Sequence, residues 1–152
     1  MEPVDPQEGA APAVQRHGLS DSLFVERMPG RERYVLGGRD CSRRWAHVLT
    51  HFAAQLLWMQ LTHCLYPERA RTVLGVAATA PLCEPHHPAI TTRVDLTDHG
   101  GGMYLLVGWI ERRSWSVPVT EADARCLWAM LDKVLFPVGW EGRTLPQHRA
   151  AP

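Results

Sequence analysis

Apolar residues along this chain follow two rhythms, one of 3.6 residues and one of two, and each predicts a different element. The 3.6-residue rhythm is clearest between Asp40 or Ser42 and Tyr66, a stretch with no Gly or Pro that Pro67 ends. Trp45, Val48, Leu49, Phe52, Leu56, Met59 and His63 fall on one face of a helix over about 41–66. Arg43, Arg44, His47, Thr50 and His51 give its first half a polar back, whereas Leu57, Trp58, Leu61 and Leu65 make the second half apolar all round. A helix of that kind needs cover from its own domain or from a partner. Trp58, Leu61 and Leu65 are therefore candidate interface residues, expected to face a second copy in a homodimer or another protein.

The two-residue rhythm begins at Ile90, Thr92, Val94 and Leu96, which alternate with Thr91, Arg93 and Asp95 as in a half-buried strand. Asp98 to Gly102 turns the chain into Met103–Ile110, apolar on both faces, and Trp115–Val119 follows with Pro118 favouring an edge. Thr120-Glu-Ala-Asp123 resembles a capping box and opens a helix over about 120–136 with Ala124, Leu127, Trp128, Leu131 and Leu135 as its stripe. Residues 20–38 fit a hairpin across Pro29-Gly30 or a short capped helix. Residues 68–80 fit a helix or a strand, and the prolines of 81–88 dictate a loop. No internal repeat is evident along the chain. The fold class is α+β: a three- to four-stranded antiparallel meander packed against the long helix and the shorter C-terminal one.

Residues 1–19 and 143–152 lack the large apolar side chains that would offset ordering entropy, and they read as disordered tails around one domain, 20–142. At 152 residues, with 45% hydrophobic and 21% charged side chains, the chain suits a single core, and six Trp supply much of its area. Sixteen basic and sixteen acidic side chains leave no net charge, which argues against a dedicated nucleic-acid binder. Lys133 is the single Lys beside many Arg, Ala, Gly and Pro, which points to a high-GC, most simply bacterial, genome. No secretory signal is read, and no run approaches the about 20 apolar residues of a membrane span. The expected compartment is the cytoplasm, with Cys41, Cys64, Cys83 and Cys126 as reduced thiols.

Candidate chemistry is sparse. His47 and His51, four apart, would share one side of the expected helix, a spacing that can hold a metal, although the Glu of a zinc-protease helix is missing between them. Cys83, His86 and His87 concentrate ligands in the proline-rich loop, and His63 with Cys64 would complete a tetrahedral set if the loop reached the helix. Cys83 or Cys126 with a histidine is the only thiol pair to consider, without any nucleophile signature around either. Gly100-Gly101-Gly102 precedes a strand rather than a helix and is a hairpin tip, not a phosphate loop. Arginine is dense from Arg27 to Arg44, and Arg112 with Arg113 sits on a second tip flanked by Trp109 and Trp115, where aromatics could stack on bases. These residues imply no cofactor. They suggest a small non-enzymatic protein-interaction or regulatory module. A metal-dependent or thiol enzyme built on the His/Cys set is the alternative, and a weak nucleic-acid binder using Arg112 and Arg113 is the second.

Overall fold

The computed structural model describes residues 14–41, 43–69 and 89–137. Along the chain run β1 (Val14–Arg16), β2 (Asp21–Arg27), β3 (Arg33–Asp40), β4 (Arg43–Thr50), α1 (His51–Leu65), β5 (Ile90–Thr91), β6 (Arg93–Gly100), β7 (Met103–Ile110), β8 (Arg113–Thr120) and α2 (Glu121–Leu135). The protein is α+β, with both expected helices and the expected β6-β7-β8 meander. Two differences stand out: a second sheet lies upstream, and α1 starts at His51, so residues 43–50 of the expected helix are a strand. Trp45, His47 and Leu49 alternate with Arg44, Ala46 and Val48, a period of two that the 3.6-residue pattern happened to mimic. The boundary is set by Thr50, whose hydroxyl accepts from the Ala53 amide at 3.0 Å and so caps α1. The buried face of α1 is accordingly Ala53, Ala54, Leu57, Trp58, Leu61, Thr62 and Leu65, not the stripe through Phe52 and Met59.

The strands form two four-stranded sheets, ordered β1-β8-β7-β6 and β2-β3-β4-β5. Each holds one antiparallel meander with a short parallel strand added at its end: β1 joins β8, and β5 joins β4. β1 lies inside the expected N-terminal tail, so the ordered domain begins before residue 20. Three residues with one apolar side chain carry no local signal; pairing with β8 holds them.

The chain is an internal duplication. β2-β3-β4-α1 and β6-β7-β8-α2 are the same unit, with β3, β4, β7 and β8 of 8 residues each and α1 and α2 of 15. At a constant seventy positions, Tyr34 matches Tyr104, Leu36 Leu106, Gly38 Gly108, Trp45 Trp115, Thr50 Thr120, Leu57 Leu127, Trp58 Trp128, Leu61 Leu131 and Leu65 Leu135. This repeat is absent from the expectations above, because its identities are scattered among unrelated surface residues. The interactions repeat as well as the letters. Thr120 caps α2 by accepting from the Asp123 amide at 3.1 Å, as Thr50 caps α1. The hairpin residues Cys41 and Glu111 share a positive φ of 48° and 56°. Gly38 pairs with Trp45 and Gly108 with Trp115, and a Cβ on either glycine would run into the indole, at 3.0 Å and 2.1 Å.

The two units are intertwined rather than side by side. α1 packs on β6 and α2 on β2, so each helix covers the other unit's sheet. Between the helices, the Trp58 indole N–H donates to Asp132 Oδ1 at 3.2 Å, and Trp128 donates to Thr62 Oγ1 at 2.7 Å. Asp132 and Thr62 are themselves counterparts. Trp58 meets the Phe136 ring at 4.8 Å, and Trp128 meets Tyr66 at the same distance. Gln60 fastens α1 to β6 with its amide, donating to Val94 O and accepting from Leu96 N, both at 2.8 Å. One shared core follows from this exchange, and neither unit encloses a core alone.

That core corrects the interface expectation. Trp58 and Leu61 are fully buried and Leu65 is 7% exposed, inside the cluster that also holds Leu127 and Leu131. The apolar back of α1 is covered by α2 and β6 of the same chain, so these three side chains offer no surface to a partner. Among the described residues, no helix is long and apolar enough to cross a membrane.

Candidate functional site

Where β1, β2 and the β3-β4 hairpin meet, four rings form a cluster between the two sheets. The Trp45 and Trp115 indoles point inward from equivalent strand positions, their centroids 6.3 Å apart. Trp45 donates its N–H to Ser20 Oγ and Trp115 donates to Thr91 Oγ1, each at 2.9 Å. His17, just past β1, stacks on Trp45 at 4.6 Å and 15°, and His47 of β4 stacks on Trp115 at 4.3 Å and 3°. The two imidazoles meet Nε2 to Nε2 at 3.0 Å, a contact that needs a lone pair on one ring and a proton on the other. Both rings favour the neutral form. Burial pushes His47 down to about 4, helped by the neighbouring His17, and burial also lowers His17 against the opposing pull of Asp40.

Two hollows open beside this cluster and share Arg44 and Trp45 as walls. The larger, about 580 Å³, has Phe24, Gly38, Trp45 and Ala46 for its floor, with Ser22, Arg39 and Arg44 around it. The smaller, about 230 Å³, is polar and lies between Gln15, Arg16, His17, Asp40, Arg43 and Arg44. The Asp40 carboxylate accepts from the Gly18 amide. Arg39 stands 3.8 Å from Asp21, both exposed. Arg16, Arg43 and Arg44 have no acidic partner among the described residues. A volume of 580 Å³ over an apolar floor with a few polar groups has the dimensions of a binding site.

The expected site residues are dispersed. His47 and His51 lie on different elements, a strand and a helix, so the expected helical pair does not form. His51 Nδ1 contacts the Tyr34 hydroxyl at 2.9 Å and Glu32 at 4.0 Å instead. His63 and Cys64 are exposed on α1, and burial with the nearby Asp98 raises the Cys64 thiol above its ordinary value. Cys83, His86 and His87 lie outside the described residues. Among those described, no three His, Cys, Asp or Glu side chains gather as a metal set. Arg112 and Arg113 are exposed at the β7-β8 turn, but Trp115 beside them is 1% exposed and bonded to Thr91, so it presents no face to a base. Cys126 is exposed on α2.

No protein-family model, curated protein or solved structure matches this chain. The sequence marks the region of the cleft through its arginine density from Arg27 to Arg44 but hides its walls, since His17 falls in the stretch that composition reads as a tail and Trp45 in the stretch that the 3.6-residue pattern reads as a helix.

Proposed function

We propose that the chain is a non-catalytic interaction module that engages a partner protein through the cleft at Trp45. One observation carries the reading: beside the shared core, the first unit keeps an open apolar floor next to Arg16, Arg43 and Arg44, which have no acidic partner among the described residues. A rigid floor on paired strands, with the Trp45 ring locked by Ser20 and His17, is pre-organised and loses little freedom on binding. The histidine pair props the wall, its two Nε2 atoms turned to each other.

In-cell photo-crosslinking tests it, with a benzoyl-phenylalanine placed at Arg39 on the rim of the larger hollow or at Ala122, exposed on α2. A discrete protein adduct is expected from position 39 and none from 122. Equal adducts at both positions, or none at 39, would defeat the reading.

A further inference from the structure

Resting on that reading, we infer that the cleft is built for an acidic peptide segment, one that seats a bulky apolar side chain in the larger hollow and sets an Asp or Glu carboxylate against Arg16, Arg43 and Arg44 in the smaller one. The charge balance of the smaller hollow points to an anion. Three arginines line a hollow that holds one carboxylate, Asp40, and that group is already engaged by the Gly18 amide. Guanidinium matches a carboxylate with two parallel hydrogen bonds, and the requirement is unmet within the described residues. The larger hollow adjoins it across Arg44 and Trp45 and is lined by Phe24, Trp45, Ala46 and Gly38, so an apolar anchor would lie next to the acid.

The duplication isolates these features. Strand register makes Asp95 the counterpart of Phe24, Trp109 that of Arg39, Ser114 that of Arg44 and Ser116 that of Ala46. Phe24, Arg39 and Arg44 thus have no like residue in the second unit, whereas Arg43 keeps an Arg counterpart in Arg113 and the core pairs are kept. Nucleic acid is the poorer occupant. The chain has no net charge to draw a polyanion. The indole of the cleft is also closed to base stacking, since Trp45 is 8% exposed and covered by His17.

A phage-displayed library of random linear peptides, selected on the full-length protein, tests the inference. Enriched peptides should place Asp or Glu beside Phe, Trp, Leu or Ile. A synthetic peptide of that pattern should lose about tenfold or more in affinity on Arg44→Glu or Arg43→Glu and nothing on Lys133→Glu, a charge reversal on α2. Circular dichroism of each variant should match the wild type. Peptides that Ala46→Trp blocks, but that carry no acid or ignore Arg44→Glu, would overturn the acidic specificity and leave the module reading standing. Failure to enrich any peptide, or peptides that ignore Ala46→Trp, would overturn both. A generic DNA duplex that binds more tightly than the peptides and depends on Arg44 would make phosphate the ligand and sink the inference.

Discussion

Where the first unit carries Arg39, the second carries Trp109; where the first has Arg44 and His47, the second has Ser114 and Val117. A few side chains inward, the two units agree residue for residue through Tyr34 and Tyr104, Trp45 and Trp115, and Trp58 and Trp128. Core positions are held by volume and by partners on the opposite unit, so a change there is felt on both sides of the molecule. Outer positions answer to what the surface meets, and there the two units differ in charge and in side-chain size. Matched cores with unmatched surfaces separate what keeps the fold from what the fold offers.

The largest effect should come from the tryptophans that link the helices. Trp58→Ala removes a fully buried ring and should cost about 3–5 kcal/mol in urea unfolding. Trp128→Ala should cost less, because its ring is only half-buried. The reverse order would mean the two halves of the helix interface are wrongly weighed. Next come the glycines beneath the indoles. Gly108→Ala puts a Cβ 2.1 Å from the Trp115 ring and should cost about 1–3 kcal/mol by overpacking. Gly38→Ala should cost less, since its nearest atoms are the flexible Leu23 tip at 2.9 Å and the Trp45 ring at 3.0 Å. Equal losses would remove the claim that the first unit is the roomier.

A smaller effect concerns pH, and it belongs to the first unit alone. The fold favours neutral His47, whose pKa drops from 6.5 to about 4. Protonation therefore favours the unfolded chain. Stability should be full above about pH 6.5, decline as pH falls toward 4, and gain no further dependence from this group below that. His47→Val, which copies Val117 of the second unit, should flatten the decline in thermal unfolding followed across that range. An unchanged slope in the variant would mean the histidine pair does not titrate with folding.

Much of the second unit was legible in the sequence. Val94 and Leu96 alternate with Arg93 and Asp95 in β6, Gly100-Gly101-Gly102 marks a turn that needs positive φ, and Thr120 announces α2, although Ile90 and Thr91 of the expected strand break off as β5 of the other sheet, with Thr91 fully buried. The first unit hid the same plan. No Gly or Pro separates β4 from α1, so the boundary rests on the Thr50 cap, and Trp45, Val48, Leu49 and Phe52 satisfy a helical period by accident. β2 and β3 were left open between a hairpin and a helix. β1 is too short to signal itself, being held by β8 across the fold. The cleft followed these elements into obscurity, because its walls come from His17 and four strands, β1 to β4, that only register brings together.

Native-state amide hydrogen exchange under increasing denaturant measures the intertwining of the two units most directly. Each helix covers the other unit's sheet, so the amides of Leu57 and Leu61 in α1 and of Leu127 and Leu131 in α2 should converge on one opening free energy, equal to that of global unfolding. Separate openings, with β2-β3-β4-α1 exchanging at one free energy and β6-β7-β8-α2 at another, would show two independent units and contradict the shared core.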